Sequence, residues 1–423
     1  MTTTTRPVRR PPNRRSAPDR GAQPTAEQRT GPQPDLTDGG ATAVAVVRVR
    51  RLFALETSNF FLLLGTTVFL VLFGLVMVLS SSAIEDFREA GDVRNLGDFF
   101  SSFTRQGLFA AAGIPLMLIA ARFPASFWRR WGWLPLAVGA VMQLFVVLIG
   151  VGDYNRNWIA IGPVTVQPSE FMKLGLALWL ALIVSRRGEA LNTLGALLKQ
   201  IVPVAGISIV LVLAGNDLGT AVILLAIVLG ALFFAGIKLR YLGLALVGVA
   251  AVGALMSVIS TSRMERILLW LNGCTADDYS SLCWQPQHGL FALSAGGFFG
   301  VGLGNSKAKW SWLPAAHNDF IFAIIGEELG MLGALVVLLL FVVLAIAFVR
   351  VIRGTRDPFA RVVSSSVMVW IVGQALVNIG VVLGLLPVLG VPLPLISAGG
   401  SALIATLLAI GIVLSFARTR EPA

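Results

Sequence analysis

The sequence predicts an all-α polytopic membrane protein of ten transmembrane helices, with a long extracytoplasmic loop between helices 7 and 8. Three observations lead there. Of 423 residues, 56% are hydrophobic and 13% charged. That is too little charge to cover a soluble globule and more apolar side chain than one could bury. The apolar runs are long and near-continuous, whereas barrel strands are short and alternate apolar with polar residues. The basic residues, finally, gather on one side of those runs.

In chain order, residues 1–56 read as a disordered basic cytoplasmic tail rich in Pro, Thr and Gln, with Arg6, Arg9, Arg10, Arg14, Arg15, Arg20 and Arg29 contributing to a net charge of +11. The tail lacks interleaved aromatics, and membrane topology explains its charge more simply than nucleic-acid binding does. The first apolar run begins only near Phe60, after a long polar stretch, so no cleavable signal peptide is expected and the first span anchors the chain.

Spans are expected near 58–80, 105–121, 132–151, 167–185, 200–214, 219–236, 241–260, 319–349, 362–385 and 399–417. The fifth is short, and the eighth is long enough to tilt. Together they make a membrane domain over 57–418, followed by a short cytoplasmic end at 419–423. With the tail in the cytosol, Arg122, Arg129, Arg130, Arg186, Arg187, Arg350, Arg353 and Arg418 fall on the inner side, and both termini are cytoplasmic.

Residues 261–318 then form the large extracytoplasmic loop. Within it, Ser262 and Glu265 have capping-box spacing, Met264, Ile267, Leu268 and Leu271 share a helical face, and Gly273 offers a stop. This amphipathic helix lies either on the membrane surface or against the spans. Cys274 and Cys283, the chain's two cysteines, either form a disulfide on the oxidising side or remain thiols. The glycine run from Ala295 to Ser306 follows no predicted strand, which disfavours a dinucleotide site and favours close packing or a re-entrant turn.

Ionisable residues at membrane depth are functional candidates. Glu170 and Lys173 share a helix face and either pair with each other or leave Lys173 for an anionic substrate. Asp217 reads as a helix cap. Pro387 to Ser401, with Pro392, Pro394, Gly399 and Gly400, cannot be an ordinary helix before Gly399 and is expected to wall a cavity. Asp319 opens the eighth span, where a lone Asp is ordinarily a cap. Glu327 and Glu328 lie roughly 12 Å deeper along the helix and off its face, and are expected to bind other spans or cap broken helices.

The segments NWIAIGPVTVQPSEFMKL, NDLGTA, GGFFGVGLGNS, HNDFIFAIIGEELG and NIGVVLGLLPVLGVPLPLISAGGS occur in this order between Asn157 and Ser401. As an ordered set they resemble the SEDS family (shape, elongation, division and sporulation) of bacterial membrane glycosyltransferases. IIGEELG and LPLISAGGS are closer to its division branch than to its elongation branch.

The resemblance implies a ten-span fold and polymerisation of lipid II into glycan strands at the outer face of the cytoplasmic membrane, at the division septum. It also implies a class B penicillin-binding transpeptidase and other division-complex membrane proteins as partners. Asp319 matches the family's essential aspartate, and Trp158 and Lys173 match positions near its substrate cavity. Several family positions differ here: Asn157 with Arg156 before it, Gly215, Asn216 and Ala315.

The expected site is therefore Asp319, as base or as orienter of a metal-bound or hydrogen-bonded acceptor, with Glu170, Lys173, Arg156, Trp158, His317, Ser397 and Ser401 around the substrate. Lys173 and Arg156 would meet the departing pyrophosphate. No cofactor is required by the sequence. A divalent cation such as Mg2+ or Mn2+ could accompany the pyrophosphate, although the sequence shows no dedicated cage. The rival readings are a lipid II flippase, whose transport path would use the same buried polar groups, and a non-catalytic scaffold that activates a transpeptidase.

Overall fold

The computed structural model describes residues 57–89, 100–149, 157–161, 164–248, 261–274, 279, 281–310, 312–314 and 316–418, without the side chains at 84, 87–89, 161, 164 and 261–263. The basic tail, the last residues and Arg156 lie outside it.

The helices are α1 (Ser58–Glu89), α2 (Ser101–Ala120), α3 (Ala125–Trp131), α4 (Leu134–Ile149), α5 (Pro168–Arg187), α6 (Leu194–Gln200), α7 (Val202–Ala214) and α8 (Leu218–Phe234). A short apolar helix, α9 (Leu239–Gly248), follows. Then come α10 (Thr261–Asn272), α11 (Trp284–Gly296), α12 (Ile321–Gly354), α13 (Pro358–Val382) and α14 (Gly400–Ala417).

Among the described residues, seven helical segments are long and apolar enough to cross a membrane, or eight if α6 and α7 form one span bent by 49°. The expectation of ten is thus met in part. The fifth span breaks near Pro203, the sixth (α8) is a shorter apolar helix, and the seventh is described only to Gly248. The fold is also not strictly all-α. Ile159–Ile161 (β1) and Val164–Val166 (β2) form an antiparallel pair between the expected third and fourth spans. The β-branched residues Ile159, Ile161, Val164, Thr165 and Val166 favour that pairing.

Helix α5 is the hub, packed against α4, α8 and α13, while α14 packs along α2. Pro168 opens α5, where a missing amide costs nothing. Leu63, Leu70, Met172, Leu176, Phe341, Phe348, Ile371 and Ile410 fill the interior. Leu72, Val141, Leu148, Leu335 and Leu339 remain exposed, as suits helices bathed in lipid.

α12 is not continuous: Gly330 sits at φ 69°, ψ −169°. The backbone groups freed there are taken up by the glycine run. Val301 N donates to Glu327 O (3.0 Å), Gly302 N to Glu328 O (3.0 Å) and Met331 N to Gly297 O (2.9 Å). A Cβ at Gly296 would stand 1.9 Å from Gly326 O, and one at Gly300 2.2 Å from Glu328 O. Only glycine lets the two backbones approach this closely, so the run closes on a helix break rather than on a nucleotide.

Candidate active site

Four segment ends converge on one cavity of about 670 Å³. Its wall includes Asn157 and Trp158 before the hairpin, Gln167 and Glu170 at the start of α5, and Asn216 and Asp217 at the start of α8. Asn318 and Asp319 join them from the loop before α12, facing Pro387–Gly390, Pro392 and Gly399 of the irregular segment. Arg266 and Ile267 of α10 complete it. The irregular segment was expected to wall a cavity, and it does so here, with positive φ at Gly390 and Leu395.

The segment carrying Asp319 is fixed by its backbone while its carboxylate is left open. Asn378 of α13 donates to both Asp319 O and Val391 O, at 2.7 Å each. Ser397 Oγ donates to Asn318 O (2.7 Å) and accepts from Leu393 N (2.8 Å), and Ala398 N donates to His317 O (3.0 Å). From α2, Gln106 reaches Ser397 O (3.1 Å) and accepts from Gly399 N (3.1 Å). No hydrogen bond to the Asp319 carboxylate is formed among the described residues. Burial at the cavity wall and the nearby Asp217 charge push its pKa up to about 6, against a smaller opposing pull from His317.

Asp217 caps α8, accepting from Thr220 N (2.8 Å), and also holds Gln167 Nε2 (2.9 Å). It therefore fixes two lips of the cavity. His317 Nδ1 lies 2.9 Å from Glu85 of α1. Trp158 is 36% exposed and lines the wall.

Lys173 requires correction. Its ammonium bonds Glu170 (2.9 Å) and Gln374 Oε1 (3.0 Å) and lies 5.0 Å from the Trp370 ring centroid. At 1% exposed, it is not part of the cavity wall and offers no free charge to a pyrophosphate. Glu170 lines the wall while serving as its partner. Ser397 and Ser401 also stand behind the wall as braces, Ser401 Oγ accepting from Gln167 N (3.1 Å). Pro392 lines the cavity and its carbonyl accepts from Gln374 (2.9 Å), whereas Pro394 is buried behind it. Gly400 passes so close to Phe109 that a Cβ would stand 2.1 Å from the ring.

The basic residue of the described wall is instead Arg266. The amphipathic helix α10 carries it, packed on the irregular segment through Trp270 Nε1, which donates to Gly384 O (3.0 Å). Leu268 and Leu271 stay exposed, so the helix both packs on the spans and presents an apolar face outward. Cys274, just past its end, is joined to Cys283 in a disulfide, with Cα atoms 6.0 Å apart.

Glu327 and Glu328 belong to the scaffold. Glu327 accepts from Ser306 Oγ, Lys307 N (2.8 Å) and Ala308 N (3.3 Å). Glu328 accepts from Ser80 Oγ (2.6 Å) and pairs with Lys309 Nζ (3.1 Å). Sequence reading did not single out Asn378, Gln106 or Gln374, and it turned Arg266 toward lipid headgroups, whereas the residue lines the cavity. The first three are buried amides inside apolar runs, which is itself a signal for polar braces.

The family model of FtsW, RodA and SpoVE, described as "Cell cycle protein", matches residues 61–421. The chain belongs to this family. Among its relatives is the probable peptidoglycan glycosyltransferase FtsW of Mycobacterium tuberculosis, 37% identical over 406 residues, covering 95% of this chain and 75% of the relative. A solved structure titled as the structural coordination of polymerization and crosslinking by a peptidoglycan synthase complex matches with TM-score 0.67 at 25% identity, covering 84% of this chain and 96% of that one. The rod shape determining protein RodA of Thermus thermophilus shares the fold, with TM-score 0.61 at 23% identity over 85% and 98% of the two chains. The family read from the ordered motifs is the family found, and the chain is an integral membrane protein.

Proposed function

We infer that this chain is a peptidoglycan glycosyltransferase that polymerises lipid II into glycan strands during septal cell-wall synthesis. The observation that carries the reading at the level of residues is the cavity with Asp319 in its wall, its backbone clamped and its carboxylate unengaged among the described residues. Membership of a family whose relatives are named as such transferases supports it.

In this mechanism the Asp319 carboxylate takes the proton of an acceptor sugar hydroxyl. The hydroxyl oxygen bonds to the anomeric carbon of the donor, and the bond from that carbon to the pyrophosphate oxygen breaks. One base suffices for such an inverting transfer, with no covalent enzyme intermediate. A pKa near 6 leaves the group ionised at neutral pH yet closer to the operating pH than an ordinary carboxylate. Arg266 faces the same space and supplies the positive charge for the departing polyprenyl pyrophosphate.

Among the described residues no group of three or more His, Cys, Asp or Glu is placed to hold a metal. Asp217 is already engaged by Thr220 and Gln167. Asp319, whose carboxylate accepts no hydrogen bond among the described residues, would be the residue to hold a divalent ion arriving with the pyrophosphate, and the ion would supply charge neutralisation for the leaving group.

The reading extends to ten spans, both termini in the cytoplasm, residence at the septum, and a class B penicillin-binding transpeptidase as partner. The likeness to a peptidoglycan synthase complex supports the partner. Purified protein, alone and with that partner, should convert lipid II to glycan strands, whereas Asp319→Asn should not. Movement of labelled lipid II between leaflets without polymer formation would favour a flippase, and polymerisation that requires another, added enzyme and is undiminished in Asp319→Asn would favour a scaffold.

A further inference from the structure

The backbone around Asp319 is clamped from α13 and from the irregular segment, whereas the side chain of His317, two residues earlier, reaches across to α1. We propose that Glu85, near the outer end of α1, is a positioning residue for the reaction, because it holds the His317 imidazole in place beside the segment that carries the base. The proposal rests on the glycosyltransferase reading, in which Asp319 is that base, and adds to it a residue outside the described cavity wall.

His317 Nδ1 lies 2.9 Å from the Glu85 carboxylate. The nitrogen is shut off from solvent and makes no aligned hydrogen bond, so the carboxylate is the group that holds it. Glu85 in turn sits on a fixed platform. Its neighbour Asp86 accepts from Ser102 N (3.0 Å) and Ser102 Oγ (2.7 Å), which ties the end of α1 to the first turn of α2. Earlier on the same helix, Ser80 Oγ donates to Glu328 (2.6 Å) and Ser80 O accepts from Lys309 Nζ (3.1 Å), which ties it to the break in α12. A side chain mounted on a helix end braced from two sides loses little further freedom in holding a partner, the condition for a positioning role.

The charges near Asp319 define what this hold does. Asp217 of α8 pushes the Asp319 pKa up and His317 pulls it down. Glu170 and Arg266 share the cavity wall, the first paired with Lys173. The other groups brought against the segment, Gln106 of α2, Asn378 of α13 and Ser397, are neutral. The His317 side chain is 24% exposed, so an imidazole released by Glu85 can turn toward solvent, and its pull on Asp319 then weakens. Acting directly, as a like charge, Glu85 would have the opposite effect on Asp319. The sign of the change therefore separates a hold on His317 from simple repulsion.

The test follows the initial rate of lipid II polymerisation against pH for the full-length protein in lipid nanodiscs, with its transpeptidase partner. Glu85→Gln should lower the rate about threefold at about pH 5, the scale of losing one partly exposed ion pair, and leave it unchanged at about pH 8. In a His317→Gln background the same substitution should change nothing. A limb that moves to lower pH, a loss equal at every pH, or a full effect in the absence of His317 would overturn the proposal. Because the chain has two histidines, His288 and His317, the imidazole 15N resonances give a second readout, told apart by the His317→Gln variant. Glu85→Gln should shift the His317 resonances and leave those of His288 in place. Unchanged His317 resonances would overturn the hold even in protein that makes no polymer. Wild-type protein that makes no polymer, while its His317 resonances respond to Glu85→Gln, would refute the glycosyltransferase reading and leave the pair standing.

Discussion

Asp319 and the neighbouring pair Glu327 and Glu328 lie on one short stretch of chain and have opposite surroundings. The two glutamates are 2% and 0% exposed and saturated with donors, the second bound to the buried Lys309. Asp319 is half-buried, with its backbone held by Asn378 and its carboxylate facing a cavity. Buried charge that is fully paired builds structure, because removing one partner strands the other. A carboxylate that is positioned but unpaired is available for chemistry. Under the role proposed for Asp319, the difference between scaffold and catalyst lies in where the hydrogen bonds go.

That comparison can be broken by substitution. Asp319→Asn should lower lipid II polymerisation by ~10²- to 10⁴-fold, the usual scale of a general base, and leave thermal unfolding of the detergent-solubilised protein unchanged. Glu328→Ala should do the reverse. It leaves Lys309 buried without its carboxylate and should cost about 3–5 kcal/mol of stability, read as a fall in unfolding temperature, while the protein that remains folded keeps its activity. Asn378→Ala lies between the two. It strips the donor from Asp319 O and Val391 O, which should cost about 1–3 kcal/mol, and polymerisation should fall by up to ~10²-fold through misplacement of the base.

The smallest effects sharpen the electrostatic side. Asp319 must be ionised to accept a proton, so the rate should rise with pH through about 6 and be lost below it. Asp217 raises the Asp319 pKa and His317 lowers it. Asp217→Asn, which keeps a capping oxygen, should therefore move this limb to lower pH, and His317→Gln should move it to higher pH. Shifts of the same sign in both variants would sink the account of the pKa.

Much of this was legible in the sequence because it depended on local rules. The apolar runs marked the helices, the prolines and glycines of Pro387 to Gly400 marked irregular backbone, and Asp217 before Leu218 marked a cap. The ordered motifs singled out Asp319. What was not legible depended on long-range pairing. Whether Lys173 would turn to Glu170 or to the substrate is decided by Gln374 and Trp370, which lie far along the chain. Whether the amphipathic helix would lie on the membrane or over the site is decided by the Trp270 bond to Gly384. Arg266 reached the cavity only through that docking, and Gln106 and Asn378 became braces only once the irregular segment folded between their helices.

If Asp319 is the proposed base, one carboxylate on this stretch acts on the substrate while its neighbours hold the fold. The most direct measurement is the initial rate of lipid II polymerisation per folded molecule, with the transpeptidase partner present, for Asp319→Asn and Glu327→Gln side by side. The account predicts that Asp319→Asn is inactive although folded, and that Glu327→Gln retains a near wild-type rate per folded molecule despite lower stability. Substantial synthesis by Asp319→Asn, or loss of rate in well-folded Glu327→Gln equal to that of Asp319→Asn, would contradict it.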